Sequence, residues 1–84
     1  MKPNNSFNQL LIRIGSLLAE LRRKKGFATI KEFAQHFDLP EIQYWRIERG
    51  KANVTLNSLK KILDIHKISL EDFFCFVTEN RIAA

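Results

Sequence analysis

Apolar side chains recur at helical spacing along most of the chain, and this pattern predicts five helices joined by short loops. The first stripe follows the i, i+4, i+7, i+8, i+11 rule of one helix face: Leu10, Ile14, Leu17, Leu18 and Leu21. Four later stripes have the same character: Ile30, Phe33, Ala34 and Phe37; Tyr44 and Ile47; Leu56, Leu59, Ile62, Leu63 and His66; Leu70, Phe73, Phe74 and Val77. Because no segment alternates convincingly with the period of a strand, the pattern predicts an all-α fold.

Capping residues and helix breakers predict where these helices begin and end. Three pairs have the spacing of a capping box: Ser6 with Gln9, Thr29 with Glu32, and Ser69 with Asp72. Thr55 is expected to cap the fourth helix. Gly26 and Gly50 are expected to end the first and third helices, while Asp38 and Pro40 separate the second from the third. The third helix is therefore predicted over about 41–49.

The length of 84 residues allows one domain. We predict a flexible N-terminal tail over 1–5, the folded domain over 6–78 and a short C-terminal tail over 79–84. No apolar run approaches the roughly 20 residues of a membrane span, and the first residues lack the apolar stretch of a secretory signal. Neither a membrane-spanning segment nor a secretory signal is expected.

Positive charge is in excess and clustered. Lys and Arg number 14 against 9 Asp and Glu, which gives a formal charge of +5 and favours a polyanionic partner. Three groups carry most of this charge: Arg22, Arg23, Lys24 and Lys25; Arg46, Arg49 and Lys51; Lys60, Lys61 and Lys67. A solvated basic surface is the alternative interpretation, and the first group also complements a helix dipole.

Residues that commonly carry catalysis or bind metals are scarce. Cys75 is the single cysteine, and it forms no metal-ligand spacing with His36 or His66. There is no catalytic triad pattern and no phosphate-binding Gly-rich loop. We therefore expect neither an enzyme nor a metal or cofactor, and the lone cysteine suits a reducing cytoplasm.

Three segments resemble a known family in their order and spacing: Phe33-Ala34, Asp38-Leu39 and the stretch 44–50. They are similar to the helix-turn-helix of the Cro and phage-repressor class, also called the XRE family. The resemblance covers roughly residues 8 to 74, and it includes Leu21-Arg22 upstream and Ser69-Leu70 downstream. It implies a compact five-helix bundle of the lambda-repressor-like type that binds double-stranded DNA and regulates transcription without a cofactor.

The third helix is the one that the resemblance places in the major groove. Its outward positions are candidates for base contact: Glu41, Ile42, Gln43, Trp45 and Arg46. Arg46 can bond a guanine edge, or it can form a surface ion pair. Gln43 can read adenine or bond a phosphate, and Ile42 can touch a thymine methyl or pack on the helix surface. Trp45 is expected to be half buried with one edge towards DNA.

The resemblance also assigns phosphate contacts and a scaffold pair. Arg49, Lys51, Asn53 and Thr55 are candidates for contacts with the DNA backbone, and Arg22 with Glu48 for a structural ion pair. The chain departs from the family pattern in four respects: Ile30 stands where a phosphate-binding Gln is common, the segment from Gly26 to Phe33 is one residue longer, Pro40 replaces a Ser or Thr cap, and Glu41 places a negative charge near phosphates.

The last predicted helix is more apolar than one buried stripe requires. Phe76 and Cys75 are left near the surface, which indicates either a wider buried face or a self-association surface. A homodimer would suit the family, because two reading helices must lie about 34 Å apart on a palindromic site. The alternative function is a protein-interaction module, or an antitoxin-like protein, whose Phe-rich C-terminal helix binds a protein partner.

Overall fold

The computed structural model describes residues 3–79, with side chains from Phe7 to Thr78, and every regular element in this range is a helix. The helices are α1 Pro3–Lys24, α2 Ile30–His36, α3 Glu41–Glu48, α4 Leu56–His66 and α5 Leu70–Glu79. The predicted all-α fold is therefore confirmed. Internal contacts divide the chain into two compact units, one through Asn53 and one from Val54. The single domain expected over 6–78 stays a prediction.

Helix α1 begins earlier than the sequence predicts. Its first residue is Pro3 rather than a residue after Ser6; the flexible tail expected over 1–5 stays a prediction. Proline is favoured in a first helical turn because the N–H that it lacks would have no helical partner there. The remaining residues of the two predicted tails, 1–2 and 80–84, lie outside the described residues.

The predicted caps are in place at three helix starts. Thr29 Oγ1 accepts a hydrogen bond from the Glu32 N–H at 3.1 Å, and Thr55 Oγ1 accepts one from the Ser58 N–H at 3.1 Å. Ser69 Oγ likewise accepts from the backbone N–H three residues later, at 3.0 Å. Each hydroxyl satisfies an N–H that has no partner within its helix.

Three of the helix ends have a residue with left-handed backbone where the sequence predicts a break. Gly26 and Gly50 have φ angles of +102° and +71°, which glycine adopts without steric cost. Asp38 has a φ of +58°, and the N–H of Leu39 donates to the Ala34 carbonyl at 2.8 Å. The chain thus turns sharply between α2 and α3, as the helix-turn-helix pattern requires.

The first unit buries one face of each of its three helices. Its buried apolar residues are Leu11, Ile14, Leu17, Leu18, Ala19, Phe33, Ala34, Tyr44 and Ile47. Helices α1 and α2 both pack against α3. At Gly15 the α1 backbone lies so close to the last turn of α3 that an added Cβ would collide with the Glu48 carbonyl oxygen and lie 2.6 Å from that of Ile47.

The second unit buries a narrower set of residues than the sequence predicts. The buried side chains are Leu59, Ile62, Leu63, Phe73 and Val77. Leu56 was expected on the inward stripe of α4, yet 64% of its surface is exposed. It is the first residue after the Thr55 cap. It lies at the edge of the apolar stripe, and its side chain therefore remains in contact with solvent.

Candidate nucleic-acid interface

Helix α3 is held from its inner side by the side chain of Arg22. Arg22 Nε donates to Glu48 Oε2 at 2.9 Å and Nη2 donates to Glu48 Oε1 at 3.2 Å. The remaining nitrogen, Nη1, donates to the carbonyl oxygens of Phe27 and Ala28 at 2.9 and 2.8 Å. The two charged side chains are only 8% and 5% exposed. The ion pair implied by the resemblance is thus present, and it joins α1, the following loop and α3.

The ion pair between Arg22 and Glu48 also changes the pKa of the arginine. The hydrogen bond to the Glu48 carboxylate raises the pKa of Arg22, against the opposing effect of burial. Such bidentate charge-assisted bonds are stronger and more directional than neutral ones. Because neither partner is solvated, each one depends on the other to offset the cost of desolvation.

Tyr44 lies on the same inner face, one turn before Glu48. It is 1% exposed, and its ring centroid lies 5.2 Å from that of Phe33. Its hydroxyl oxygen is buried and has no hydrogen-bond partner of good geometry within the described residues. Burial, reinforced by the nearby Glu48 carboxylate, raises the pKa of Tyr44 well above its ordinary value. The sequence predicts that Tyr44 points inward, but not that its hydroxyl lacks a partner.

The outer side of α3 carries all five base-contact candidates, and all five are exposed: Glu41, Ile42, Gln43, Trp45 and Arg46. The structure divides them into two groups. Four of them line a shallow concavity together with Pro40 and Ala52. Trp45 instead lines a groove beside α1, with Ser16, Arg23 and Arg49 among its neighbours. The sequence does not predict this division.

Trp45 has its own cationic partner. The guanidinium carbon of Arg49 lies 5.0 Å from the Trp45 ring centroid, within the range of a cation–π interaction. Trp45 as a whole is 39% exposed, and the edge that it is expected to turn towards DNA stays a prediction. Sequence reasoning missed this contact, although a spacing of four residues on one helix was a signal for it.

The phosphate-contact candidates belong to both units of the chain. Lys51 and Asn53 are exposed in the loop that follows α3, and the loop is started by the left-handed Gly50. Arg49 is exposed at the C-cap of α3. Thr55 belongs to the second unit, where its hydroxyl oxygen already accepts the capping bond. Their contacts with DNA stay predictions.

Two departures from the family pattern have a local structural account. Pro40 is the N-cap of α3 and makes no side-chain capping bond, since proline has no polar side-chain atom. Glu41 lies in the first turn of that helix, where its negative charge complements the helix dipole. Glu41 therefore has a stabilising role that is independent of any base.

The dimerisation candidates lie on the exposed side of α5. Phe76 is 44% exposed and Cys75 is a free, exposed thiol. Phe73 and Val77, which form the buried face of the helix, are fully buried; Cys75 lies opposite them and Phe76 lies on the flank. Exposure alone does not test self-association, so the dimer surface stays a prediction.

Two further features bear on the class of protein. Among the described residues, no helix is long and apolar enough to cross a membrane. Over the same part of the chain, no cluster of His, Cys, Asp and Glu side chains has the arrangement that could hold a metal ion.

Comparison with known proteins identifies the class of protein to which the chain belongs. The profile of the Cro/C1-type HTH DNA-binding domain matches residues 18–79. The chain belongs to this family, and it is a DNA-binding transcription regulator of the Cro/C1 type.

A relative is known from Mycoplasma sp. The chain is 39% identical over 67 residues to the control protein C.MunI of that organism, and the match covers 80% of this chain and 90% of the relative. No solved structure matches the chain.

Proposed function

We propose that this protein is a sequence-specific, double-stranded DNA-binding regulator that inserts α3 into the major groove and acts as a homodimer. One observation carries the proposal: the inner face of α3 is fixed by the buried Arg22–Glu48 pair, while its outer face exposes five side chains able to meet base edges. A rigid helix with a free outer face is what groove insertion requires.

Different exposed side chains bind the bases and the phosphates of the DNA. Arg46 donates two hydrogen bonds to a guanine edge, and Gln43 bonds an adjacent adenine or a phosphate. Lys51, Asn53 and Arg49 fix the register through phosphates, which carry no sequence information. The formal charge of +5 attracts any duplex and makes affinity depend on salt.

Two copies of the chain associate through the exposed side of α5, around Phe76 and Cys75. A two-fold dimer places two reading helices one DNA turn apart, about 34 Å, on a palindromic site. Since such a regulator acts where the DNA is, its location is the cytoplasm.

Selection of bound sequences from a random duplex pool tests the proposal, followed by gel retardation of the selected site. Arg46→Ala is expected to relax base preference at one position, with a loss of about 1–3 kcal/mol. Lys51→Ala is its matched control: it weakens all duplexes alike and lowers the salt slope by about 0.9. Absence of retardation for every duplex at low salt would contradict the proposal.

Sedimentation of wild type and of Phe76→Glu tests the dimer. The wild type is expected to sediment as a dimer and Phe76→Glu as a folded monomer with weaker binding to a full palindrome. A wild-type monomer that co-purifies with another protein and is indifferent to Arg46→Ala would support the protein-interaction alternative instead.

A further inference from the structure

Ile42 is the most exposed large hydrophobic side chain among the described residues. Its exposed fraction is 77%, against 39% for Trp45 on the same helix. Leaving an isoleucine side chain in water forgoes most of the free energy that its burial would release. A lone exposed isoleucine is not unusual, so its surroundings decide whether it has a ligand.

The surroundings of Ile42 are mixed rather than uniformly apolar. It lines the shallow concavity with Pro40 and Ala52, which are apolar, and with Gln43 and Arg46, which donate hydrogen bonds. Within residues 7–78, the side chain of Arg46 makes no hydrogen bond or ion pair, and only its backbone carbonyl accepts a bond beyond α3, from the Lys51 N–H at 2.9 Å. The surface therefore fits a partner that offers one small apolar group close to hydrogen-bond acceptors.

We infer that Ile42 binds the 5-methyl group of a thymine, and that this thymine lies within two base pairs of the guanine bonded by Arg46. This inference rests on the proposed function, and it identifies the chemical group of the DNA that Ile42 recognises. The thymine methyl is the one apolar group that the bases expose in the major groove. No acceptor on a base edge could pair with an isoleucine.

Helix geometry sets the distance between the two contacts. Residues four apart lie on the same side of a helix, about 6 Å apart along its axis. Successive base pairs are about 3.4 Å apart along the duplex. The backbone positions of the two residues are therefore about two base-pair steps apart, which places their contacts on neighbouring base pairs.

Replacement of each thymine in the selected site by deoxyuridine tests the inference, because this change removes only the 5-methyl group. One thymine near the Arg46-dependent guanine is expected to lose three- to five-fold in affinity for the wild type, the value of one buried methyl. Ile42→Ala is expected to bind the thymine and uracil duplexes equally. Gln43→Ala is the matched control on the same helix, and it should keep the difference between the two duplexes.

The possible outcomes separate this inference from the function on which it rests. Equal wild-type affinity for thymine and uracil at every position overturns the contact while sequence-specific binding stands. A uracil effect that persists in Ile42→Ala also overturns it, because another side chain would then read the methyl. Failure to select any duplex overturns both the contact and the proposed function.

Discussion

The inner and outer faces of α3 differ in almost every physical respect. On the inner face, Tyr44 and Ile47 are buried and Glu48 is held by a guanidinium that makes two bonds to it. On the outer face, Ile42 and Arg46 are exposed, and Trp45 is in contact with Arg49. The inner face fixes where the helix lies, and the outer face is left free for a ligand.

This difference separates two kinds of substitution in one short helix. A change on the inner side alters the free energy of unfolding, whereas a change on the outer side alters binding and changes the free energy of unfolding by no more than about 1 kcal/mol. Substitutions on the two faces of α3 therefore test whether stability and DNA binding are separate properties of this helix.

The largest effect is expected from Arg22→Ala. It removes four hydrogen bonds and leaves the Glu48 carboxylate buried without its partner, which costs about 3–5 kcal/mol in other buried pairs. Urea denaturation followed by circular dichroism measures the loss.

A double variant, Arg22→Met with Glu48→Leu, is the control for that experiment. It fills similar volume without leaving a buried charge, so it should lose much less than Arg22→Ala. If Arg22→Ala changed the free energy of unfolding by under about 1 kcal/mol, the pair would not be what fixes α3.

Gly15→Ala is expected to cost about 1–3 kcal/mol, although alanine is the better helix former. The added methyl group would meet the Ile47 and Glu48 carbonyl oxygens and force α1 away from α3. Thermal denaturation compares it with Ser16→Ala, the exposed neighbour on the same helix. A more stable Gly15→Ala would show that the two backbones separate without cost.

Tyr44→Phe is expected to change the pH dependence of stability rather than stability at pH 7. Burial raises the pKa of the folded-state hydroxyl above its ordinary value of 10.0, so above pH 10 the unfolded chain releases a proton that the folded chain keeps. The free energy of unfolding of the wild type should therefore fall by up to about 1.4 kcal/mol per pH unit above pH 10.

Denaturation at pH 9 and pH 11 measures this effect, and Tyr44→Phe supplies the background from other groups. Near pH 7 the free energy of unfolding of the variant should lie within about 1 kcal/mol of the wild type, because the hydroxyl that it removes makes no hydrogen bond of good geometry within the described residues. Parallel curves for the two proteins above pH 10 would contradict the role of Tyr44.

The smallest effect is expected from Trp45→Leu. It removes a cation–π contact worth about 0.5–1 kcal/mol at an exposed site, and it frees the Arg49 side chain. The free energy of unfolding should change by no more than that, while DNA affinity is expected to fall because Arg49 is no longer held where we propose that it contacts a phosphate. Arg49→Ala and the double variant complete a cycle, which should show coupling between the two side chains in DNA binding.

The sequence predicted the inner face of α3 better than the outer one. The periodicity that identifies Tyr44 and Ile47 as buried is a direct result of helix geometry, and the Thr29 and Thr55 caps follow from local backbone chemistry. Leu56 was placed wrongly because periodicity counts a residue at the edge of a stripe as if it were at the centre.

Other features depend on neighbours that are distant in the chain. The close approach at Gly15 involves residues more than thirty positions away, and nothing in the local sequence indicates it. The division of the outer face into a Trp45 side and an Arg46 side depends on which side chains of α1 lie nearby. Such features require the packed structure.

Gly15 has a consequence for the redesign of binding preference. Because it lets main-chain atoms of α1 meet main-chain atoms of α3, the register between these helices does not depend on the identity of the outward side chains. A library that varies positions 42, 43 and 46 would therefore present different chemical groups from one constant backbone frame. Differences in base preference among the variants of such a library can therefore be assigned to the changed side chains, and not to a shift of α3.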